Sequence, residues 1–272
     1  MTELQQRIGT GLLAAPLFVG AVYLGGYAFG AVMAFIALAT QYEYYGLAAS
    51  TNAAPLQPLG FALTLSLGLA VLHPPLWTVA GLVLVGGLAV SPMLCTDEAY
   101  LSRIAATLFG VVYPAGGLVA LLFIRTHTAW PPESAVLGTV WIIFAVWGTD
   151  IFAYFAGKHL GRHKLAPRIS PNKTWAGAFG GAGGALAAGG LYLAGGAVFA
   201  LPTVPVLHVV VLSVLIAAVC ICGDLIQSLL KRTASAKDAG SLLPGHGGFF
   251  DRFDGMALAV PLAVVYLHLL FG

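Results

Sequence analysis

The chain has 272 residues, of which 59% are hydrophobic and only 8% charged, with 35 glycines and a net charge of +2. A soluble globular chain carries roughly 25% charged residues, so no water-facing surface can be assembled from this composition. Collagen-like and disordered classes are excluded as well, because the glycines have no period of three and the apolar content is too high. Cys95, Cys220 and Cys222 are too few for a disulfide framework and read as small apolar fillers; the last two, two apart on a helix, point to different faces. The composition therefore predicts an all-α integral membrane protein.

A helix needs ~20 apolar residues to cross a bilayer. Nine such runs follow in chain order: residues 7–24, 26–48, 57–72, 75–93, 104–124, 136–157, 176–199, 206–230 and 254–271. The first two divide at Gly25 and Gly26, because a continuous helix of ~40 residues would be ~60 Å long, twice the hydrocarbon core. A secretory signal is the rival reading of the first run, which lacks a convincing small-residue cleavage site. With the N-terminus in the cytoplasm, nine spans place Arg7, Arg103, the group Lys158, Arg162, Lys164, Arg168 and Lys173, and the group Lys231, Arg232, Lys237 and Arg252 inside. Only Arg125 falls outside, as the positive-inside rule favours. The expected architecture is a polytopic bundle of about nine transmembrane helices, N-terminus cytoplasmic and C-terminus outside. It forms a single transmembrane domain over 1–272, with cytoplasmic active-site loops at 158–175 and 231–253. The near absence of extramembrane extension points to a bacterial inner membrane.

Charge within a membrane segment costs about 2.5 to 3.5 kcal/mol on insertion scales, so an intramembrane Asp is a functional candidate. Asp150 lies about 10 Å below the cytoplasmic end of the sixth run, and Asp224 lies at similar depth in the eighth. From Asp224, Ser228, Lys231 and Arg232 follow at i+4, i+7 and i+8, on one helix face. The plainer alternative, an ion pair joining two helices, suits Asp150 better than Asp224. Beyond the eighth run the chain reads SLLKRTASAKDAGSLLPGHGGFFDRFDG from Ser228 to Gly255. Lys231, Arg232, Lys237 and Arg252 supply positive charge, and the Pro244-Gly245-His246-Gly247-Gly248 turn lets backbone N–H groups approach an anion. Asp251 and Asp254, three apart, share a helix face. With Asp224 they make three carboxylates beside cations, a donor set suited to Mg²⁺ bridging phosphate oxygens.

This stretch resembles the signature of the phosphatidate cytidylyltransferase (CDP-diacylglycerol synthase) family. Ser228, Lys231, Arg232, Lys237, Asp238, Gly240, Leu243, Pro244, His246, Gly247, Gly248, Asp251, Arg252 and Asp254 fill every position of that pattern. A second block is similar too: Asp150, Tyr154, Gly157, Gly161, Lys164, Ser170, Pro171, Lys173, Thr174, Trp175 and Gly177. One departure is visible, Ala176 where the family usually carries an acidic residue. The resemblance implies transfer of a cytidylyl group from CTP to phosphatidic acid, giving CDP-diacylglycerol and pyrophosphate at the cytoplasmic face. It implies Asp224 and Asp251 as Mg²⁺ ligands, with Asp254 a ligand or its neighbour. Lys231, Arg232, Lys237, Arg252 and Lys173 would neutralise phosphate charge, with Asp238 and His246 in the same catalytic segment. Ser228, Gly247, Gly248, Asp150, Lys164 and Asn172 would contact substrate. Whether a second, monovalent ion accompanies Mg²⁺ is left open.

Other features have structural readings. Gly177, Gly180, Gly181, Gly183 and Gly184 form small-xxx-small pairs that predict close helix packing rather than a phosphate loop. His159 and His163 have metal-ligand spacing, but the basic loop discourages a cation. Glu43, in Gln41-Tyr42-Glu43-Tyr44, reads as a snorkelling residue or half of a helix pair. A cation-coupled transporter would need midplane charge reachable from both sides, whereas the chemistry here crowds one face. The nearer rival is the same chemistry on an ether-linked lipid phosphate. The partners implied are the bilayer, the two substrates and, through glycine-rich faces, a homodimer; no nucleic acid is called for.

Overall fold

A computed structural model describes residues 16–51, 53–95, 98–127, 130–243 and 247–271. The described chain is almost entirely helical. Residues 16–24 form α1. It is followed by α2 (Gly26–Ala49), α3 (Gln57–Leu72), a 3₁₀ turn at Pro74–Leu76 and α4 (Trp77–Leu94). Next come α5 (Tyr100–Gly110), a π-helical turn at Val111–Ala115, α6 (Gly116–His127) and α7 (Pro132–Leu160). A two-stranded antiparallel hairpin of β1 (Lys164–Ala166) and β2 (Ser170–Thr174) separates α7 from α8 (Trp175–Val198). The chain then forms α9 (Val206–Thr233) and α10 (Phe250–Phe271). Six helices among the described residues are long and apolar enough to cross a membrane: Pro74–Leu94, Tyr100–Thr126, Pro132–Leu160, Trp175–Val198, Val206–Thr233 and Phe250–Phe271. The protein is thus an all-α polytopic membrane protein.

Each of the nine apolar runs coincides with a helix where the chain is described; the start of the first, with Arg7, lies outside the described residues. The predicted break between the first two runs is real. Gly25 and Gly26 have φ of 65° and 48°, a conformation that glycine adopts without a Cβ penalty. Arg125, the one basic residue left outside by the charge rule, has its reason here. Its guanidinium donates to the carbonyls of Val22 (2.8 Å) and Tyr23 (3.1 Å), the unpaired acceptors at the end of α1. A Cβ at Gly25 would come within 2.7 Å of that guanidinium. The π turn before α6 contains Pro114, whose missing N–H and ring displace the regular ladder.

By contact the chain falls into two compact units, residues 1–126 with 230–253, and residues 127–229 with 254–272; the boundaries lie inside α6, α9 and α10. In the first unit, α2 is fixed by a buried polar chain. Gln41 Nε2 donates to Tyr45 Oη (2.8 Å), Tyr45 donates to the Thr107 carbonyl (2.9 Å), and Thr64 donates to Gln41 Oε1 (2.9 Å). In low dielectric such a satisfied chain rigidifies its members. Gly60 and Gly110 pack flat on the Tyr45 ring, leaving no room for a Cβ.

In the second unit, α7 and α8 meet backbone to backbone. A Cβ at Gly177 would sit 2.9 Å from the Ala153 carbonyl, one at Gly180 2.9 Å from that of Phe152, and one at Gly148 2.9 Å from that of Gly184. The glycine run is therefore a packing face, as its spacing predicts. Gly183 points away, with nothing within 4 Å of its Cβ position. Gly184→Ala is expected to destabilise the protein by about 1 to 3 kcal/mol by overpacking against Gly148. Gly183→Ala should be neutral or stabilising by up to about 1 kcal/mol through helix propensity. Thermal unfolding of both variants in detergent checks the opposite signs.

Candidate active site

Carboxylates converge in the second unit. Asp150 on α7, Asp224 on α9 and Asp254 near the start of α10 face one another, with Asp254 in side-chain contact with Asp224 and close enough to Asp150 to repel it. Lys173, at the end of β2, places its ammonium 2.6 Å from Asp224 Oδ2. The hairpin explains how a loop residue is delivered so firmly. Thr174, next to Lys173, caps α8 by accepting the Gly177 N–H (3.1 Å), and Trp175 N–H donates to the His163 carbonyl (3.0 Å). Asp254 is buried, and its Oδ1 accepts the Gly255 N–H at 2.8 Å. Gly223 and Gly255 make the close approach possible: a Cβ at Gly223 would meet the Asp254 carbonyl at 2.8 Å, and one at Gly255 the Cys220 sulfur at 2.6 Å. Cys220 is also more than filler, since its thiol donates to Asp150 Oδ1 at 3.5 Å.

Three carboxylates against one ammonium leave an excess of negative charge at low dielectric. Two of them in direct contact need a proton or a cation between them. No three His, Cys, Asp or Glu side chains among the described residues form a complete metal cage. Mg²⁺ does not require one, since it is held by one or two carboxylates and keeps positions for water and substrate phosphate. The donor set of Asp224 and Asp254 fits such an ion.

The first unit holds the other half of the signature. Lys231, in the last turn of α9, places its ammonium 2.8 Å from Asp251 Oδ1. The second oxygen of Asp251 accepts the backbone N–H groups of Ala239 (2.9 Å) and Gly248 (3.4 Å). Asp251 therefore ties the backbone at Ala239 and at Gly248 to the start of α10. Leu243 and Gly247 pair as an isolated antiparallel bridge, and Gly247 has φ of 81°, which suits glycine.

The structure thus brings Asp224, Asp254, Asp150 and Lys173 together in one unit, and Lys231, Asp251 and Gly248 in the other. Arg232, Lys237, Asp238 and Arg252 are exposed, as are Lys164 and Asn172 on the hairpin, while Ser228 is half-buried on α9. His246, with Pro244 and Gly245, lies outside the described residues. The Gly248 N–H, read from the sequence as a phosphate donor, is turned toward Asp251. His159 and His163 do not share a helix, because α7 ends at Leu160; both are exposed. Ala176 occupies the first turn of α8, whose N-terminus Thr174 already caps.

Glu43 corrects the sequence reading. It is not snorkelling, and no cation among the described residues pairs with it: it is 4% exposed, and its carboxylate accepts the N–H groups of Phe250 (2.9 Å) and Leu242 (3.3 Å). A buried carboxylate can be satisfied by backbone donors at a helix start, and α10 begins at Phe250. The signal available in the sequence was a lone acid deep among aromatic residues, but the donors lie about 200 residues further along the chain. Breaking the Lys231–Asp251 pair should also be visible without substrate. Thermal unfolding of Lys231→Met, Asp251→Asn and the double variant is expected to give a coupling of about 1 to 3 kcal/mol, as for contacting residues in one network.

Residues 5–270 match the sequence profile described as the Cytidylyltransferase family. The chain is 37% identical to a phosphatidate cytidylyltransferase of Brucella abortus over 270 residues, covering 98% of this chain and 94% of that protein. A protein of the same name from Synechocystis is 32% identical over 290 residues, covering 97% of each. One from Bacillus subtilis is 40% identical over 135 residues, 48% of this chain and 49% of that protein. Both blocks recognised in the sequence lie within the matched range, and the chain is a member of the cytidylyltransferase family.

Proposed function

We propose that this protein transfers a cytidylyl group from CTP to phosphatidic acid, giving CDP-diacylglycerol and pyrophosphate for phospholipid synthesis. The observation that carries the reading is the Lys173–Asp224 pair packed beside Asp254, in a chain related over nearly its whole length to phosphatidate cytidylyltransferases. In the reaction a phosphate oxygen of phosphatidic acid attacks the α-phosphorus of CTP. One P–O bond forms there, the bond to the β-phosphate breaks, and pyrophosphate leaves with the electron pair. The nucleophile is already an anion at neutral pH, so the difficulty is to bring two polyanions together rather than to remove a proton.

Cations meet that difficulty. Lys173 and Lys231 are held in place by their carboxylates, and Arg232, Lys237 and Arg252 are exposed for phosphate contact. Mg²⁺ is the metal we propose, with Asp224 and Asp254 as ligands; it would neutralise phosphate oxygens. Asp150 and Lys164 would position the nucleotide. We further propose that the reaction faces the cytoplasm of a bacterial inner membrane, with nine spans and the N-terminus inside. The clustering of basic residues in 158–175 and 231–253 supports this orientation.

Pyrophosphate release by the detergent-solubilised protein tests the reaction. Activity should require CTP, phosphatidic acid and Mg²⁺ together, and fall at least about a hundredfold in Asp251→Asn. An ether-linked acceptor in a parallel arm reports whether the glycerol linkage is read; no release with either lipid would refute the assignment. For orientation, Ser241→Cys should react with a membrane-impermeant thiol reagent only in inverted vesicles, and Thr203→Cys only in intact cells with permeabilised outer membranes. The reverse pattern would overturn the sidedness.

A further inference from the structure

Glu43 belongs to the motif Gln41-Tyr42-Glu43-Tyr44, which the cytidylyl transfer proposed above does not use. Its single carboxylate takes the N–H of Leu242 and that of Phe250, with the Phe249 N–H turned to the same group. Those donors lie on either side of the signature turn, so one side chain ties its two ends. Gly240 and Gly248 are packed so tightly on the carboxylate that neither could carry a Cβ. Two signature glycines are therefore explained by contact with Glu43 rather than by contact with a ligand.

The group doing the tying is itself immobile. Gln41 and Tyr45, two residues to either side, are locked into the polar chain with Thr64 and Thr107. Tyr44 packs edge-on against Phe250, with ring centroids 6.2 Å apart, and Tyr113 does the same at 6.0 Å. Phe250 is fully buried in that seat, and the residue after it is Asp251, which holds Lys231 and the Ala239 N–H. Glu43 from α2 and Asp251 from α10 thus clamp one segment from two sides.

We propose that Glu43 is a positioning residue: by fixing both ends of the 239–250 segment it holds Asp251, and through it Lys231, in the arrangement that receives phosphate. This deepens the cytidylyltransferase reading and rests on it for its catalytic consequence. Glu43 touches no substrate; it acts through the backbone at Leu242 and Phe250.

The test uses the full chain in detergent, with activity expressed per folded molecule, and amide hydrogen exchange of the 239–252 region read in the same samples. Glu43→Ala should lower kcat about a hundredfold and speed exchange at Leu242 and Phe250 about tenfold or more, while the α7 and α8 amides stay unchanged. Glu43→Gln, which keeps one acceptor oxygen, should recover part of both effects. Gly240→Ala should be as damaging as Glu43→Ala in the parent chain, yet add little in the Glu43→Ala background, where the space it needs has been vacated. A merely structural role would reduce the folded fraction but leave kcat and KM per folded molecule at parental values, and that result would overturn the proposal. Unchanged exchange in Glu43→Ala would overturn it too. If the parent chain releases no pyrophosphate, the catalytic reading fails by itself, and the exchange measurement alone decides whether Glu43 holds the segment.

Discussion

A carboxylate taken out of water must find donors or a cation, and in a chain with only ten acidic residues that requirement organises the structure. Glu43 finds the backbone at the start of α10, and Asp251 finds Lys231 and two backbone N–H groups. Asp224 finds Lys173. Asp254 meets Asp224 instead, and at that contact negative charge outruns the donors supplied by the described residues. The rest of the fold is arranged to bring these groups within reach. Gly223 and Gly255 remove side chains where backbones must meet, the hairpin delivers Lys173, and the polar chain through Tyr45 keeps α2 and Glu43 still.

This arrangement divides the work between two kinds of site. In the signature segment the Asp251 carboxylate is satisfied by Lys231 and backbone N–H groups, and exposed basic side chains surround it. The cluster of Asp150, Asp224 and Asp254 is the opposite, an excess of carboxylate with a single ammonium among the described residues. A cation would complete the second kind of site.

Much of this was legible in the sequence because membrane insertion imposes length and polarity rules that act locally. The break at Gly25, the glycine face of α8 and the two basic blocks all follow from residues within one helix or one loop. The hairpin at 164–174 was not foreseen, since its strands are short and polar and carry no hydrophobic alternation. Arg125 looked like a charge-rule exception because its acceptors, Val22 and Tyr23, lie a hundred residues earlier. Glu43 was misread for the same reason. A period of 3.6 shows which residues share a helix face, but not that a carboxylate in one helix serves as the N-terminal acceptor of another. The close approach of Gly240 and Gly248 to a carboxylate also depended on that unseen partner.

We propose the Asp224–Asp254 contact as a divalent metal site completed by nucleotide phosphate. Electron paramagnetic resonance of Mn²⁺, added in place of Mg²⁺ to the purified protein with and without CTP, tests it most directly. Mn²⁺ should bind tightly in the presence of CTP, and at least about tenfold more weakly in Asp224→Asn and in Asp254→Asn. Mn²⁺ bound equally well by the parent chain and both variants would contradict it.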